Sequence, residues 1–180
     1  MIKKTLFING VERHIVVDPE ESLVNVLRNQ LFLTGAKSGC GGEGECGACT
    51  VIWDGKAVRS CNYTMERIPD GAQIITIEGV GTRECLHPLQ LAWMIHGAAQ
   101  CGFCTPGFIM SAKALLDQNI NPTREEVREW FQVNRNICRC TGYKPLVDAV
   151  MDAARMMRGE VTKEELWPKL KDGTSLKGSS

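Results

Sequence analysis

Residues 40–49 have the sequence CGGEGECGAC, which places three cysteines and four glycines in ten positions. Glycine adopts positive φ angles at little energetic cost, so such a run can fold closely around a compact inorganic core. A fourth cysteine follows after eleven further residues. The spacing Cys-x5-Cys-x2-Cys-x11-Cys therefore predicts one metal centre with four thiolate ligands: Cys40, Cys46, Cys49 and Cys61.

The spacing of this first group also indicates which metal it holds. Plant-type [2Fe–2S] ferredoxins use Cys-x4-Cys-x2-Cys and a distant fourth cysteine, so this chain has one additional residue between the first two ligands. The alternative is a structural zinc ion, but zinc sites pair two short Cys-x2–4-Cys knuckles, and Cys40 and Cys46 are too far apart for one. We therefore expect a [2Fe–2S] cluster, with the additional glycine accommodated as a bulge.

A second group of cysteines lies in the C-terminal half of the chain, with the spacing Cys-x2-Cys-x33-Cys-x-Cys: Cys101, Cys104, Cys138 and Cys140. Each half of the group precedes a predicted helix, whose N-terminus adds positive field to an anionic site. A Cys-x-Cys pair is awkward for a tetrahedral zinc knuckle and suits two adjacent ligands of a rhombic cluster. This group predicts a second [2Fe–2S] cluster.

Composition narrows the classes of partner. The 180 residues include 21 lysines and arginines and 21 aspartates and glutamates, so net charge favours neither nucleic acid nor an anionic membrane. No apolar run approaches the roughly 20 residues of a membrane span, and the N-terminus lacks the apolar region of a signal peptide. We therefore expect the cytoplasm, where nine cysteines indicate metal binding rather than disulfides.

Residues outside the two groups are assigned structural roles. Cys85 stands apart from the other cysteines and is expected to be a small hydrophobe. Histidines ligate iron in Rieske centres, but eight cysteines suffice, so His14, His87 and His96 are not expected to be ligands. No paired carboxylates or nucleophile–base pair indicates a catalytic residue on this chain.

The first 80 residues are predicted to form a small β-grasp sheet. Asn9-Gly10 and Asp54-Gly55 are strong two-residue turn signals, and each lies between two runs of strand-forming residues. Apolar residues at helical spacing predict one helix over Ser22–Leu31. The predicted strands are Lys4–Ile8, Glu12–Val17, Thr50–Trp53, Lys56–Val58 and Gln73–Glu78.

From about residue 84 the apolar residues follow a helical period. The predicted helices are His87–Ala98, Pro106–Leu116, a helix that starts at the capping box Thr123–Glu126, and Pro145–Met157. Four helices of this length pack naturally as a bundle, so the fold class is α+β. The predicted domains are 1–79, 80–158 and a polar extended arm or connector at 159–180, in which Trp167 is either a partner anchor or disordered.

Three motifs resemble the iron–sulfur subunits and domains of the molybdenum hydroxylases, such as xanthine dehydrogenases, aldehyde oxidoreductases and nicotinate dehydrogenases. They are GECGACTV at 44–51, QCGFCTPG at 100–107 and CRCTGY at 138–143. The likeness covers roughly residues 1–157. It is greatest to the N-terminal region of bacterial aldehyde oxidoreductases, through TIEGVG at 76–81 and LHPLQ at 86–90.

The resemblance implies a β-grasp plant-type ferredoxin domain followed by a four-helix-bundle [2Fe–2S] domain. The second cysteine group would hold the cluster nearest a molybdopterin on a large catalytic partner, which Gln100 and Cys140 approach. The first group would hold the outer, more accessible cluster. Electrons from an aldehyde or N-heterocycle would pass through both to an FAD-binding subunit or a soluble acceptor. Residues 160–180 resemble the connector that leads into the molybdenum domain of single-chain relatives, but the chain then stops, so the catalytic part is expected on a separate subunit.

Two other functions remain open on the residues alone. A free-standing two-cluster ferredoxin would use the same eight cysteines, although a mobile carrier does not need Gln100 beside Cys101. A structural zinc protein is the third hypothesis.

Overall fold

A computed structural model describes residues 1–166. The N-terminal half contains a five-stranded mixed sheet in the order β2-β1-β5-β3-β4. β1 runs antiparallel to β2 and parallel to β5, and β3 runs antiparallel to both β4 and β5. The strands are β1 Ile2–Ile8, β2 Val11–Val17, β3 Thr50–Trp53, β4 Lys56–Arg59 and β5 Gln73–Ile75. This mixed sheet, followed by helices, confirms the predicted α+β class.

Both predicted hairpin turns are present. Asn9 and Gly10 have φ angles of 53° and 78°, and Asp54 and Gly55 have φ angles of 46° and 79°. Two consecutive positive φ angles characterise the type I′ turn, whose twist matches that of the flanking strands. The turns set the registers Ile8↔Val11 and Trp53↔Lys56.

The predicted helix over Ser22–Leu31 differs from a regular α-helix. Ser22 caps a three-residue α1, Leu23–Asn25, which continues directly as a π-helix, Val26–Gln30. The N–H of Leu31 accordingly donates to the carbonyl of Val26, five residues earlier. Four residues of the expected apolar stripe are nevertheless buried against the sheet, with exposed fractions of at most 2%: Leu23, Val24, Val26 and Leu27. The fifth, Leu31, is half-buried.

The last strand is shorter than predicted. β5 ends at Ile75, and Ile77–Gly79 form a 3₁₀ turn. The side chain of Asn9 accepts the N–H of Thr76 at 2.8 Å, and the Thr76 hydroxyl donates to Glu78 at 2.6 Å. Because these side-chain bonds replace strand pairing, the chain turns out of the sheet here.

The C-terminal half contains the four predicted helices: α2 Pro88–Ile95, α3 Thr105–Gln118, α4 Arg124–Val133 and α5 Lys144–Met157. The capping box at Thr123 and Glu126 is present, with both reciprocal bonds. α2 ends three residues earlier than predicted because Gly97, at φ 57°, takes the left-handed conformation that terminates helices. The helices share a core around Leu89, Phe108, Leu146 and Val150.

The sheet packs directly against the helices. Ile52 of β3 and Met110 and Ala114 of α3 form a small buried cluster between the two halves. The indole N–H of Trp130 donates to the carbonyl of Ser111 at 2.9 Å, which holds α4 against α3. This packing brings the start of α3 to the loop before β3.

The segment after α5 differs in part from the predicted extended arm. Residues Lys163–Leu166 form a one-turn helix, α6, in which Leu166 is buried. Thr162 starts it, because its hydroxyl accepts the N–H of Glu165 while Glu165 accepts the N–H of Thr162. Trp167 and the rest of the predicted arm lie outside the described residues. The division at 79–80 and 158–159 stays a prediction.

Within residues 1–166, no helix is both long enough and apolar enough to cross a membrane.

Candidate metal centres

The first cysteine group lies at one end of the sheet. The loop between the π-helix and β3 carries Cys40, Cys46 and Cys49, and Cys61 lies in a 3₁₀ turn directly after β4. The sulfur atoms of Cys49 and Cys61 are 3.4 Å apart. The hydroxyl of Ser60 donates to the carbonyl of Cys49 at 2.7 Å, which ties the two chain segments together. The hairpin β3–β4 thus brings a cysteine from each of its ends to one point.

Cys40 and Cys46 form the other pair of this group. The N–H of Glu45 donates to Cys40 Sγ at 3.4 Å, and the Cys46 thiol also hydrogen-bonds to this sulfur. Partial burial disfavours the Cys40 thiolate, but these bonds outweigh it and lower its pKa to about 7. Burial, with the hydrogen bond and charge of Cys49, raises the pKa of Cys61 to about 12.

The additional residue of the loop projects into open space. Gly41 and Gly42 have φ angles of 72° and 102°, and a Cβ added at either would meet no atom of the described chain within 4 Å. Gly44, in contrast, lies against Asn62, whose Oδ1 would be 2.3 Å from an added Cβ. The insertion is therefore absorbed on the outside, and Cys40 still lies beside Cys46.

The second cysteine group lies on two loops at one end of the helices. Cys101 and Cys104 precede α3, whereas Cys138 and Cys140 precede α5. Cys101 Sγ and Cys140 Sγ are 3.5 Å apart, and the thiols of Cys104 and Cys138 are hydrogen-bonded. The group is thus arranged, like the first, as two pairs of sulfur atoms.

Within each of these pairs, one thiol has a lowered pKa and the other a raised one. The N–H of Phe103 lowers the pKa of Cys101. The pKa of Cys140 is raised by the hydrogen bond between Cys140 and Cys101. Burial raises the pKa of Cys104 to about 12. Burial disfavours the Cys138 thiolate too, but bonds from Thr141 and other donors outweigh it and lower its pKa.

The paired arrangement fits a two-iron core. Two thiolates at bond lengths near 2.3 Å on a tetrahedral metal lie about 3.8 Å apart, close to the 3.4 and 3.5 Å between these sulfur atoms. A [2Fe–2S] cluster takes four cysteines, two on each iron. In the part of the chain from 1 to 166, no three or more His, Cys, Asp or Glu residues are grouped around a position for a single metal ion.

The two cysteine loops touch each other, which sequence reasoning did not predict. The N–H of Ile137 donates to the carbonyl of Cys46 at 3.1 Å, and Arg135 forms an ion pair with Glu45. Gly107, in the first turn of α3, lies so close to Gly47 that a Cβ there would be 2.3 Å from the Gly47 carbonyl oxygen. In the sequence, this contact is indicated only by Gly107, a glycine that lies both inside a predicted helix and within a cysteine motif.

Exposure differs between the groups in a way that the resemblance did not imply. Cys101 and Cys140 are exposed and Gln100 is exposed beside them, whereas all cysteines of the first group are buried or half-buried. In this chain alone the second group is therefore the more accessible one. This differs from the order that the resemblance implied, in which the first group is the more accessible one.

The other candidate residues lie away from both groups. Cys85 is exposed, so its interpretation as a small buried hydrophobe is wrong. His14 hydrogen-bonds to Thr5 across β1 and β2. His87 caps α2, and burial lowers its pKa. His96 binds Asp152 at 2.8 Å.

Comparisons with known proteins match both halves of the chain to [2Fe–2S]-binding families. Residues 6–76 match a family described as 2Fe-2S iron-sulfur cluster binding domain, and residues 76–151 match one described as [2Fe-2S] binding domain. The chain is 62% identical to an aldehyde oxidoreductase of Megalodesulfovibrio gigas over 92% of its length, but spans only 18% of that protein. It is 51% identical to the nicotine 6-hydroxylase small subunit of Paenarthrobacter nicotinovorans, with 81% of this chain and 86% of the relative covered.

Two solved structures likewise match this chain, one with a small part of its length and the other with nearly all of it. An aldehyde oxidoreductase from Desulfovibrio desulfuricans superimposes with a TM-score of 0.90 at 64% identity, covering 92% of this chain and 18% of that one. A quinoline 2-oxidoreductase chain from Pseudomonas putida superimposes with a TM-score of 0.81 at 41% identity, covering 89% and 98%. The chain thus corresponds to a small part of one kind of relative and to nearly all of another.

Proposed function

The chain belongs to the iron–sulfur subunits and domains of the molybdenum hydroxylase family, and from this we propose that it is the electron-transfer part of such an oxidoreductase. Cys40, Cys46, Cys49 and Cys61 would hold one [2Fe–2S] cluster, and the second cysteine group would hold another. When bound, each cluster accepts and releases single electrons. The sulfur pairs described above support this assignment.

One contact carries the proposal: the hydrogen bond from the N–H of Ile137 to the carbonyl of Cys46, at 3.1 Å. Cys46 belongs to the first group, and Ile137 is bonded directly to Cys138 of the second. One hydrogen bond and a few covalent bonds therefore connect the two sites. A relay of electrons requires two centres that lie close together, and this contact holds the two ligand loops close to each other.

The exposed edge of the second group indicates where a partner would bind. Cys101, Cys140 and Gln100 are exposed together, and we propose that a large catalytic subunit places its molybdopterin against them. Electrons would enter there, pass to the first group, and leave to an FAD-binding subunit or a soluble acceptor. The relatives' names support an aldehyde or an N-heterocycle as the substrate of the complex. The cytoplasm remains the proposed compartment.

Native purification tests the assignment. The chain should copurify with a large molybdenum-containing protein, and should contain about four iron and four acid-labile sulfide per chain. A fully loaded chain without any molybdenum partner would instead make it a free-standing two-cluster carrier. Zinc in place of iron, or only about half of the expected iron, would contradict the assignment of two clusters.

A further inference from the structure

Cys138 is enclosed by three hydrogen bonds within its own motif. The hydroxyl of Thr141 lies 3.2 Å from Cys138 Sγ and donates to it. The N–H of Tyr143 donates to the Thr141 hydroxyl oxygen at 3.3 Å, and the N–H of Cys138 donates to the Tyr143 hydroxyl oxygen at 3.0 Å. The three bonds close a ring that begins and ends at the same cysteine.

One member of this hydrogen-bonded ring, Tyr143, has a backbone conformation that a bulky residue rarely adopts. Tyr143 has a φ of 67°, in the left-handed region. Its ring packs edge-on against Phe108 with centroids 6.2 Å apart. A backbone conformation of this kind persists only where its surroundings enforce it, and such conformations concentrate at functional sites.

The direction of the Thr141 hydroxyl proton is set by the bond from the N–H of Tyr143. A threonine hydroxyl has one proton to donate, and its oxygen accepts the N–H of Tyr143, so the proton remains available for Cys138 Sγ. A thiolate ligand cannot donate in return. Cys138 is only 8% exposed, so water competes little for this charge-assisted bond.

We propose that Thr141 is a positioning residue that tunes the second centre, an inference that rests on the proposed function. A hydrogen bond to a ligating sulfur stabilises added negative charge and so raises the reduction potential. Because the hydrogen bond from Thr141 acts on Cys138, it would stabilise the added electron near the Cys104–Cys138 pair. That side leads through Ile137 to Cys46, whereas the Cys101–Cys140 pair faces the proposed partner.

The electron balance of this role is simple. One electron from the molybdopterin of the proposed partner would reduce the second centre and would then pass to the first, so that the second centre is reoxidised as the first is reduced. Thr141 keeps its proton throughout, because its hydroxyl only shares it with Cys138 Sγ. No bond to carbon, oxygen or nitrogen changes.

The experiment compares Thr141→Val with Thr141→Ser in the full chain with both clusters loaded. Val keeps the shape of threonine without the hydroxyl, and Ser keeps the hydroxyl. A dithionite titration followed by electron paramagnetic resonance measures the potential of each centre. We expect T141V to shift the reduction equilibrium of the second centre about tenfold towards the oxidised form, a midpoint about 59 mV lower. T141S and the first centre should stay near their unmodified values.

Equal potentials in fully loaded T141V and unmodified chain would overturn the tuning role and leave the two-cluster assignment intact. Too little iron in the unmodified chain would instead overturn the proposed function. If T141V fails to retain iron, Thr141→Ala provides the same test. Loss of the second cluster from both variants, with T141S loaded normally, would also overturn tuning, because the hydroxyl would then be needed for assembly.

Discussion

The N–H of Ile137 donates to the carbonyl of Cys46 across 3.1 Å, although the two residues are 91 positions apart in the sequence. The bond forms because the left-handed Gly47 leaves room for the chain around Asn136 to approach. Residues on both sides reinforce it, through the Arg135–Glu45 ion pair and the Asn136 amide, which donates to the Gly47 carbonyl at 3.4 Å. The two candidate metal centres are therefore joined by main chain rather than by side chains alone.

Gly47→Ala should open this junction. Its φ is 65°, and an added Cβ would lie 2.6 Å from Asn136 Nδ2 and 2.9 Å from the Arg135 carbonyl oxygen. We expect a loss of about 3 kcal/mol in the free energy of unfolding, from backbone strain of about 1 kcal/mol and from overpacking. Denaturant unfolding of the loaded chain measures it.

Gly41→Ala is the matched control for that change. Gly41 has nearly the same φ, 72°, but an added Cβ would meet no atom of the described chain within 4 Å. It should therefore cost only the backbone strain, about 1 kcal/mol. Equal losses in the two variants would show that the contact with Asn136 does not matter.

Cys40→Ser should remove the first cluster and leave the second. The structure places Cys40 beside Cys46 despite the additional loop residue, so we expect iron to fall to about half of the unmodified content. Iron and acid-labile sulfide analysis measures it. Cys85→Ser, at an exposed cysteine away from both groups, should keep the full content. Full iron in Cys40→Ser would mean that the inserted glycine has moved Cys40 out of the site.

Thiol reactivity in the metal-free, reduced chain should distinguish Cys40 from Cys61. The pKa of Cys40 is lowered to about 7 and that of Cys61 is raised to about 12. The thiolate is the nucleophile, so at pH 8 Cys40 is mostly reactive and Cys61 is almost wholly protonated. Iodoacetamide labelling with peptide mapping should show Cys40 modified before Cys61, at a rate that rises from pH 6 to 8 and then levels. Preferential labelling of Cys61 would contradict the geometry of this site.

Asp148→Asn should destabilise the chain at neutral pH and have less effect in acid. Arg124 of α4 and Lys144 of α5 both bind the Asp148 carboxylate. Burial opposes ionisation, but these two cations outweigh it and lower the pKa of Asp148 below 3.8. A lowered folded pKa gives stability that is present above the unfolded value and lost as pH falls through the folded value. Because the partners are largely exposed, we expect about 0.5 kcal/mol at pH 7.

Thermal or urea unfolding at pH 7 and at pH 2.5 compares this variant with the unmodified chain. The difference between the two should be smaller at the lower pH. A difference of the same size at both pH values would mean that Asp148 stabilises the helices by packing rather than by charge.

Local chemistry was enough to predict most of the secondary structure. Asn9-Gly10 and Asp54-Gly55 predicted both hairpins because few other residue pairs adopt two positive φ angles, and Thr123 with Glu126 predicted the start of α4 because these side chains cap neighbouring N–H groups. Ser22–Leu31 and Gln73–Glu78 were less well predicted. The early end of the second depends on a contact between residues far apart in the sequence, Asn9 with Thr76.

By itself, the sequence determined which eight cysteines form two groups and which family the chain belongs to, because ligand spacing and glycine content are properties of short segments. Only the tertiary structure decided which sulfur atoms of distant segments pair, that Cys46 meets Ile137, and that Cys101 and Cys140 are exposed. The contact between the two cysteine loops depends on how α3 packs on β3 through Ile52, Met110 and Ala114. Such packing is set by shape and volume across long separations, which no local pattern of residues records.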